Sequence, residues 1–266
     1  MGIQSKQFIN GVGKLIGLLM VVAGIFALQH TRLQSVIAPA ASTLPQQAAN
    51  DVRKSELQLL LLKNLPDFGF RNLIANWTFL NFLQYFGNSD YRQLTGYGLS
   101  ADYFEVILER DPYDYLPYQY LSSSVSLFAG QPARAVELQE AGLQHLRPNF
   151  PVKSFFIWRH KGIDEMLFLD DLPAAIRSHE MAADWASQSS DPRAADAQQS
   201  LRQTAEFLRG DPDRETVQIN AWAQVLMSAP DDKTRAVAIE NIEALGGSIV
   251  EQPDGRFAIR FGAKDP

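Results

Sequence analysis

The sequence contains no cysteine. This absence excludes disulfide bonds, thiolate metal sites and a cysteine nucleophile, and it leaves the compartment open. Basic charge is also scarce, because 24 lysines and arginines face 30 aspartates and glutamates, which gives a net charge of −6. Such a chain has no overall positive field to hold phosphates, so we expect no nucleic-acid partner.

Motifs of catalysis are absent as well. The chain has no Gly-Lys-Ser or Gly-Lys-Thr phosphate loop, no Gly-x-Ser-x-Gly and no His-Glu-x-x-His. His145, His160 and His179 fall in three successive predicted helices, but their spacing matches no metal-ligand motif. We therefore expect no metal, no cofactor and no enzymatic activity.

One long uncharged apolar run occurs near the N-terminus, over residues 15–28. It is shorter than the roughly 20 residues of a full membrane span and has the length of a signal-peptide core. The flanking residues extend it to 12–30, and the small-x-small pair Ala38-Pro-Ala40 lies late for cleavage. We therefore predict an uncleaved signal anchor over residues 1–30. Lys6 and Lys14 precede it, which favours export of the following domain to the periplasmic or luminal side.

The rest of the chain divides by composition into three segments. Residues 31–50 are small and mostly uncharged, with prolines at 39 and 45, and predict a linker. Residues 51–210 predict a helical domain whose first helix starts at Asp51 and carries Leu57, Leu60 and Leu61 on one side. Residues 211–266 predict C-terminal helices and a β-hairpin.

A second uncharged apolar stretch covers residues 73–86, where leucine, phenylalanine and tryptophan alternate with asparagine, threonine and glutamine. The interpretation we favour is a central helix that its neighbours cover on most sides. The alternative is a surface that leans on the membrane or receives a hydrophobic partner.

Residues 99–185 predict helices in pairs. The first helix ends at Pro112, the second covers 113–128, and Gly130 with Pro132 turns the chain into a third. Residues 155–169 and 174–185 repeat the pattern around a turn at 170–173. Small residues recur seven apart in two of these helices, where close helix approach requires a short side chain: Ala135 with Gly142, and Ala175 with Ala182.

These residues, together with Asp111-Pro112, Gly130 and Pro148, resemble the packing pattern of tetratricopeptide-repeat proteins. The chain also looks like membrane-anchored repeat proteins of photosynthetic bacteria. The resemblance implies an all-α, TPR-like helical-repeat array that binds other proteins, and it implies a thylakoid complex as the setting.

In the C-terminal segment the spacing of apolar residues changes from that of a helix to that of a β-strand. Helices are expected over 194–208, from about 213, and from 230 to a glycine stop at Gly246-Gly247. Residues 248–261 then alternate with period two around Asp254-Gly255, which predicts a small β-hairpin.

The candidate partner-binding residues are tyrosines and charged side chains within the repeats. Tyr113 and Tyr120 lie off the apolar stripe of their helix. Arg159, His160 and Glu165 belong to the densest polar cluster of the chain. In that cluster His160 and Asp164, and likewise Lys161 and Glu165, are four residues apart, which permits ion pairs or an acid–base pair.

The function expected from the sequence is a membrane-anchored protein–protein interaction scaffold or assembly factor for a membrane complex. Its membrane contact runs through residues 12–30 and its partners are proteins at the membrane surface. Two alternatives stay open: a permanent structural subunit of a membrane complex, and an enzyme with a pocket near His160 and Asp164.

Overall fold

The computed structural model describes residues 24–26, 44–210, 213–228, 232–251 and 257–261. This part of the chain is mostly helical and ends in one antiparallel pair of strands. The chain divides into two compact units, residues 1–50 and 51–266, and the hydrophobic cores, the groove and the exposed apolar patch described below lie in the second. The elements are α1 Leu44–Asn64, α2 Arg71–Gly87, α3 Ser89–Thr95, α4 Ser100–Arg110, α5 Tyr115–Leu121, a π-helical segment Ser122–Phe128, α6 Pro132–Leu143, α7 Phe155–Leu167, α8 Leu172–Ala186, α9 Ala194–Arg209, α10 Arg214–Ser228, α11 Asp232–Ala244, β1 Gly247–Glu251 and β2 Phe257–Phe261.

The predicted anchor at residues 12–30 lies outside the described residues, apart from a helical turn at 24–26. None of the helices in the described ranges combines the length and hydropathy that a membrane span requires. The first long helix begins at Leu44 and not at Asp51, so the last seven residues of the predicted linker are helical. Proline fits the first turn of a helix, and the glutamines and alanines that follow Pro45 favour the helix.

The larger hydrophobic core joins α2, α4, α5 and the helices up to α9. Its centre is formed by Phe82, Phe104, Tyr118 and Leu121, none of which has measurable exposure. A second core holds α10 and α11 together around Trp222 and Ile242.

Close approach at Gly142 is confirmed. A Cβ atom placed there would overlap the hydroxyl of Tyr118 and lie 2.7 Å from its Cζ. Tyr118 is itself fully buried and donates a hydrogen bond of 3.0 Å to the carbonyl of Pro112. A second glycine, Gly162 of α7, brings α7 equally close to α8, because a Cβ there would lie 2.6 Å from Nδ1 of His179. Ala135, Ala175 and Ala182 are fully buried.

We expect Gly142→Ala to destabilise the domain by about 1–3 kcal/mol, because overpacking forces a buried side chain out of its rotamer. Gly87→Ala is the matched control, since both glycines lie in the last turn of a helix and a Cβ at Gly87 meets no atom within 4 Å. It should be neutral or slightly stabilising, as alanine loses less entropy on folding. Urea denaturation of both variants measures the difference, and equal midpoints would contradict the packing argument.

The helix predicted over residues 113–128 is not a single α-helix. It begins at Tyr115 and changes at Ser122 into a π-helical segment, in which Ala129 donates its amide to the carbonyl of Ser124. The hydroxyls of Ser123 and Ser124 both donate to the carbonyl of Tyr120. These side-chain bonds compete with the regular backbone ladder at the junction, which apolar periodicity cannot reveal.

The C-terminal hairpin is confirmed. β1 and β2 pair antiparallel, with Ile249 opposite Ile259, and β1 packs on α11. Gly246 ends the preceding helix with a φ of 80°, the left-handed conformation that glycine adopts without strain. The predicted turn at Asp254-Gly255 lies outside the described residues.

The interpretation of residues 73–86 as a covered helix is wrong. Only one side of α2 enters the core, and its other side shows Leu73, Trp77 and Leu80 to solvent. The leucines predicted to share a side of α1 are exposed as well, while Leu59 is the buried one. We call the exposed set the outer patch; it consists of Leu57, Leu60, Leu61, Leu65, Phe68, Phe70, Leu73, Trp77 and Leu80, each exposed by 48% or more.

Candidate protein-binding groove

The main candidate site is an open groove between α4 and α6 that continues to the loops at the end of α4. It consists of two adjoining clefts of about 310 and 620 Å³, both of which Glu109 and His145 line. The first cleft is lined by Glu105, Leu108, Glu109, Arg134, Glu137, Leu138, Ala141, Gly142 and His145. The second is lined by Arg71, Asn72, Glu109, Arg110, Asp111, Pro112, Tyr113, Asp114, His145 and Phe150.

Glu105 anchors the ion pairs of the first cleft. Its carboxylate lies 2.6 Å from Nζ of Lys63 and 2.7 Å from Nη2 of Arg134, which also pairs with Glu137 at 2.7 Å. Partial burial acts to raise the pKa of Glu105, but the hydrogen bonds and charges of Lys63 and Arg134 outweigh it and lower that pKa. The arginine of this cleft is therefore already shared between two carboxylates.

Two further arginines are occupied with backbone carbonyls and hold the groove together. Arg110 donates from Nη2 to the carbonyls of Leu62, Lys63 and Leu65, where the C-terminus of α1 leaves carbonyls without helical partners. Arg71 donates to the carbonyls of Glu109 and Arg110 at the end of α4. These bonds fix α1, α2 and α4 around one end of the groove.

The lining is acidic in balance. Five carboxylates (Glu105, Glu109, Glu137, Asp111 and Asp114) stand against three guanidinium groups (Arg71, Arg110 and Arg134), a difference of −2. Asp111 and Asp114 also accept backbone amides of the α4–α5 turn and of the first turn of α5. The groove therefore presents a negative wall to a ligand.

An exposed aromatic pair closes the far end of the groove. The rings of Tyr113 and Phe150 lie 5.5 Å apart between centroids, and both side chains are about half exposed or more. The neighbouring Leu116 and Val152 are exposed too. Exposed aromatic rings of this kind often serve as anchors in protein interfaces.

The structure separates the residues that the sequence proposed for partner binding. Tyr113 lines the groove and stays a candidate. Tyr120 is half-buried and packs edge-on against Phe79 of α2, so its ring belongs to the core side of α5. Arg159 is exposed on α7 and lines neither cleft of the groove.

The prediction that Glu165 binds a partner is wrong, because its side chain is only 4% exposed and is not available to a partner. It forms the predicted ion pair with Lys161 and accepts a hydrogen bond of 2.6 Å from Ser178 of α8. Lys161 in turn lies 3.1 Å from Glu140 of α6. The cluster joins three helices inside the domain, which four-residue spacing on one helix does not reveal.

His160 and Asp164 do not form an acid–base pair in the described chain. Oδ2 of Asp164 accepts from Ser122 at 2.8 Å and from Gln139 at 3.0 Å, and Asp164 is fully buried. Burial raises the pKa of Asp164 to about 7. Burial, with the charge of Arg159 as a smaller cause, lowers the pKa of the half-buried His160 to about 4.

Glu109 and Phe150 are among the groove residues that the sequence did not single out, and His145 was considered only as a metal ligand. Phe150 follows Asn149, whose φ of 64° marks a turn, but a single aromatic in a polar loop has no periodicity to detect.

Among the described residues, no group of three or more histidine, aspartate or glutamate side chains is arranged to hold a metal ion. Comparison with protein-family models, with curated proteins and with solved structures finds no match for this chain.

Proposed function

We propose that the chain is a membrane-tethered helical-repeat scaffold that binds a segment of another protein in the groove between α4 and α6. The observation that carries this proposal is the groove itself, with a negative wall along its length and the Tyr113–Phe150 pair at its end. No reactive constellation accompanies it among the described residues, so its chemistry favours recognition over catalysis.

The charge of the lining defines the partner. Three arginines of the groove are bonded to carboxylates or to backbone carbonyls, whereas Glu109 is exposed and Glu137 stays 65% exposed beside its ion pair with Arg134. A complementary segment is therefore basic, with an aromatic or aliphatic side chain that contacts Phe150. Such a contact depends on ionic strength, because exposed charges are screened within about 8 Å at physiological salt.

The repeat interpretation supports the same function. α7 packs on α8, α8 packs on α9, and α6 packs on α7, as stacked helix pairs do. Small residues at Ala135, Gly142, Ala175 and Ala182 sit where helices approach closely. We propose that these helices are TPR-like units, and that residues 12–30 anchor them to a membrane, with a thylakoid complex as the setting that the sequence resemblance implies.

The alternative enzyme site at His160 and Asp164 gains no support from this arrangement, because the carboxyl of Asp164 is fully buried against Ser122 and Gln139. The alternative of a permanent structural subunit makes a different prediction from a scaffold. A permanent subunit co-purifies in fixed ratio through detergent and high salt, whereas a partner held by exposed charges is released by salt.

We expect a photo-crosslinking amino acid at Phe150 to capture a discrete partner in native membranes. The same amino acid at Phe207, an equally exposed phenylalanine of α9, should not capture it. Glu109→Lys with Glu137→Lys should lower the yield at Phe150 by about tenfold, because like charges across an interface oppose binding.

The matched charge control is Glu206→Lys with Glu243→Lys, two exposed glutamates outside the groove. It changes the net charge equally and should leave the yield unchanged. Equal adducts at Phe150 and Phe207, or equal losses in the two charge variants, would rule out the groove as the binding site.

A further inference from the structure

The outer patch is larger than the apolar surface that a soluble monomer ordinarily shows. Phe68, Phe70 and Trp77 are exposed by 80, 63 and 57%. Aromatic side chains carry areas of about 150–250 Å², so these three alone expose roughly 300–500 Å², already the size of the largest patch on a typical monomer. The six leucines of the outer patch add to it.

The outer patch belongs to one helical hairpin. Leu57, Leu60 and Leu61 form a stripe on α1 by three- and four-residue spacing, and Leu73, Trp77 and Leu80 form one on α2. The two helices border one polar cleft, which Ser55 and Gln58 of α1 line together with Asn81 and Gln84 of α2. The remaining members of the patch, Leu65, Phe68 and Phe70, are in the turn that joins the helices.

The turn holds its aromatic rings outward in a fixed conformation. Phe68 has a φ of 47°, which a non-glycine residue adopts at a cost, and Asp67 accepts the amide of Gly69 at 3.1 Å. Arg110 and Arg71 each lie 3.6 Å from the carboxylate of Asp67, which ties the turn to the end of α4. The exposed rings are therefore part of a built surface.

The charges near the outer patch indicate which kind of partner can cover it. α2 has no charged residue between Asn72 and Gly87, so this face offers no ion pairs to a protein. The exposed charges in the turn before Leu57 are Arg53, Lys54 and Glu56, which leave a net charge of +1 there in a chain of net charge −6. Leucine, phenylalanine and tryptophan flanked by cations are the composition of surfaces that bind the headgroup region of anionic bilayers.

The position of the outer patch in the sequence agrees with this occupant. It begins at Leu57, 27 residues after the end of the proposed anchor at residue 30. A segment of that length reaches at most about 90–100 Å even when fully extended, so an anchored domain stays at the bilayer surface. Apolar side chains held there encounter lipid at high effective concentration.

We propose that the outer patch is a second membrane contact, in which Phe68, Phe70, Trp77 and the leucines of α1 and α2 enter the interfacial region of a phospholipid bilayer. This inference rests on the proposed membrane tether. It adds an orientation, because the α1–α2 hairpin then faces the lipid.

The test uses the absence of cysteine, which lets a single introduced thiol carry an environment-sensitive fluorophore. Leu73→Cys reports on the outer patch, and Phe207→Cys, exposed by 59% against 65% for Leu73, is the matched control. Each full-length labelled chain is reconstituted into phosphatidylcholine vesicles with and without phosphatidylglycerol. Flotation, quenching by a lipid-borne nitroxide and quenching by aqueous iodide are measured on the same samples.

We expect the label at residue 73 to be quenched by the lipid-borne nitroxide about fivefold more than the label at residue 207, and more strongly with phosphatidylglycerol present, because interfacial side chains insert about 5–10 Å. Leu61→Glu with Trp77→Glu should make the label at residue 73 accessible to quenching by aqueous iodide again. Phe207→Glu should leave the quenching of that label unchanged. Both positions are exposed, so these substitutions leave the core intact.

Three results would overturn the inference, and each has a distinct signature. A chain that floats while iodide quenches both labels equally keeps its tether but shows the outer patch to water. A label at residue 73 that is shielded from both quenchers means that protein covers the outer patch, either a second copy or the chain's own apolar run at residues 15–28. A chain that fails to float in every variant removes the proposed tether as well.

Discussion

Lys161→Met is expected to destabilise the protein by about 3–5 kcal/mol, because it leaves a carboxylate buried without its counter-ion. Glu165 is the carboxylate concerned; its side chain is 4% exposed, and without Lys161 it retains the hydrogen bond from Ser178. Methionine is about as long as the lysine stem, so lost packing contributes little, although the contact of the ammonium with the ring of Trp158 at 5.6 Å is lost as well. Urea denaturation at neutral pH measures the loss.

The two partners of this ion pair should respond unequally. Glu165→Gln leaves Lys161 with Glu140 at 3.1 Å, whose side chain is 56% exposed, so the cation keeps a partner and a path to water. We therefore expect a smaller loss from Glu165→Gln than from Lys161→Met. The double variant Lys161→Met with Glu165→Leu should recover most of the stability, because an apolar pair removes both desolvation penalties.

The control for this experiment is Arg202→Met, which breaks the exposed pair between Arg202 and Asp184 at 3.9 Å. Exposed pairs contribute about 0–1 kcal/mol, so this variant should unfold nearly as the natural chain does. If Lys161→Met and Arg202→Met lower the free energy of unfolding by similar amounts, the buried ion pair contributes no more than an exposed one. A double variant less stable than Lys161→Met would likewise contradict the cost assigned to an unpaired buried carboxylate.

The sequence predicted where the helices lie along the chain better than it predicted their tertiary contacts. Apolar steps of three and four residues after Pro112 predicted a buried helical face, and Tyr118 and Leu121 of α5 and Val125 of the π-helical segment are fully buried. The recurrence of small residues identified Gly142. Both signals are local, because a helix imposes its period on the chain wherever it lies. The hairpin was equally predictable, since a change from period 3.6 to period 2 needs no tertiary information.

The sequence did not predict which helix packs against each helix face. Lys161 and Glu165 are spaced as a surface pair on one helix, and their burial depends on Ser178 and Glu140 from two other helices. Gly162 went unnoticed because the side chain it makes room for, His179, is 17 residues away. Close approach depends on the side chains of both helices, so the sequence of one helix alone does not predict it.

The outer patch and the groove illustrate the same limit. The uncharged composition of α2 suggested burial, yet only Phe79, Phe82 and Tyr85 with their neighbours enter the core, and Trp77 does not. For the groove, tyrosine content pointed to Tyr113, which lines it, but Glu109 and Phe150 join it only because α4 and the loop before α7 meet. Composition gives the kind of contact a surface can make, and tertiary packing decides which residues form that surface.

Asp164→Asn is expected to remove a pH dependence of stability that amounts to about 4 kcal/mol between pH 4 and pH 7. Burial raises the pKa of Asp164 to about 7 in the folded chain, against 3.8 for the unfolded group. A shift of about three units at 1.36 kcal/mol per unit gives this upper value. The hydrogen bonds from Ser122 and Gln139 act in the opposite direction and only reduce the shift.

The sign follows from proton binding. Between pH 4 and pH 7 the folded state holds a proton on Asp164 that the unfolded state has released, so stability falls as the pH rises. The stabilising contribution of the protonated carboxyl is complete below about pH 4 and is lost as the pH rises through about 7. Glu165, the adjacent charged group, favours the protonated form of Asp164 further.

Asparagine suits this site because it keeps one acceptor and adds a donor without charge. Oδ1 of Asp164 and Oε1 of Gln139 are both buried and find no donor among the described residues. An amide on residue 164 supplies hydrogen atoms on the side where the charged carboxylate has none. We therefore expect Asp164→Asn to be more stable than the natural chain above pH 7, by an amount that shrinks toward pH 4.

The measurement is the difference in unfolding free energy between the variant and the natural chain from pH 4 to pH 8, because groups common to both cancel. Asp184→Asn, at an exposed carboxylate of α8, is the control and should give a difference that does not vary with pH. Parallel stability curves for Asp164→Asn and the natural chain would mean that Asp164 stays ionised throughout. In that case its partners, Ser122 and Gln139, would be strong enough to hold a buried negative charge at the centre of the helical domain.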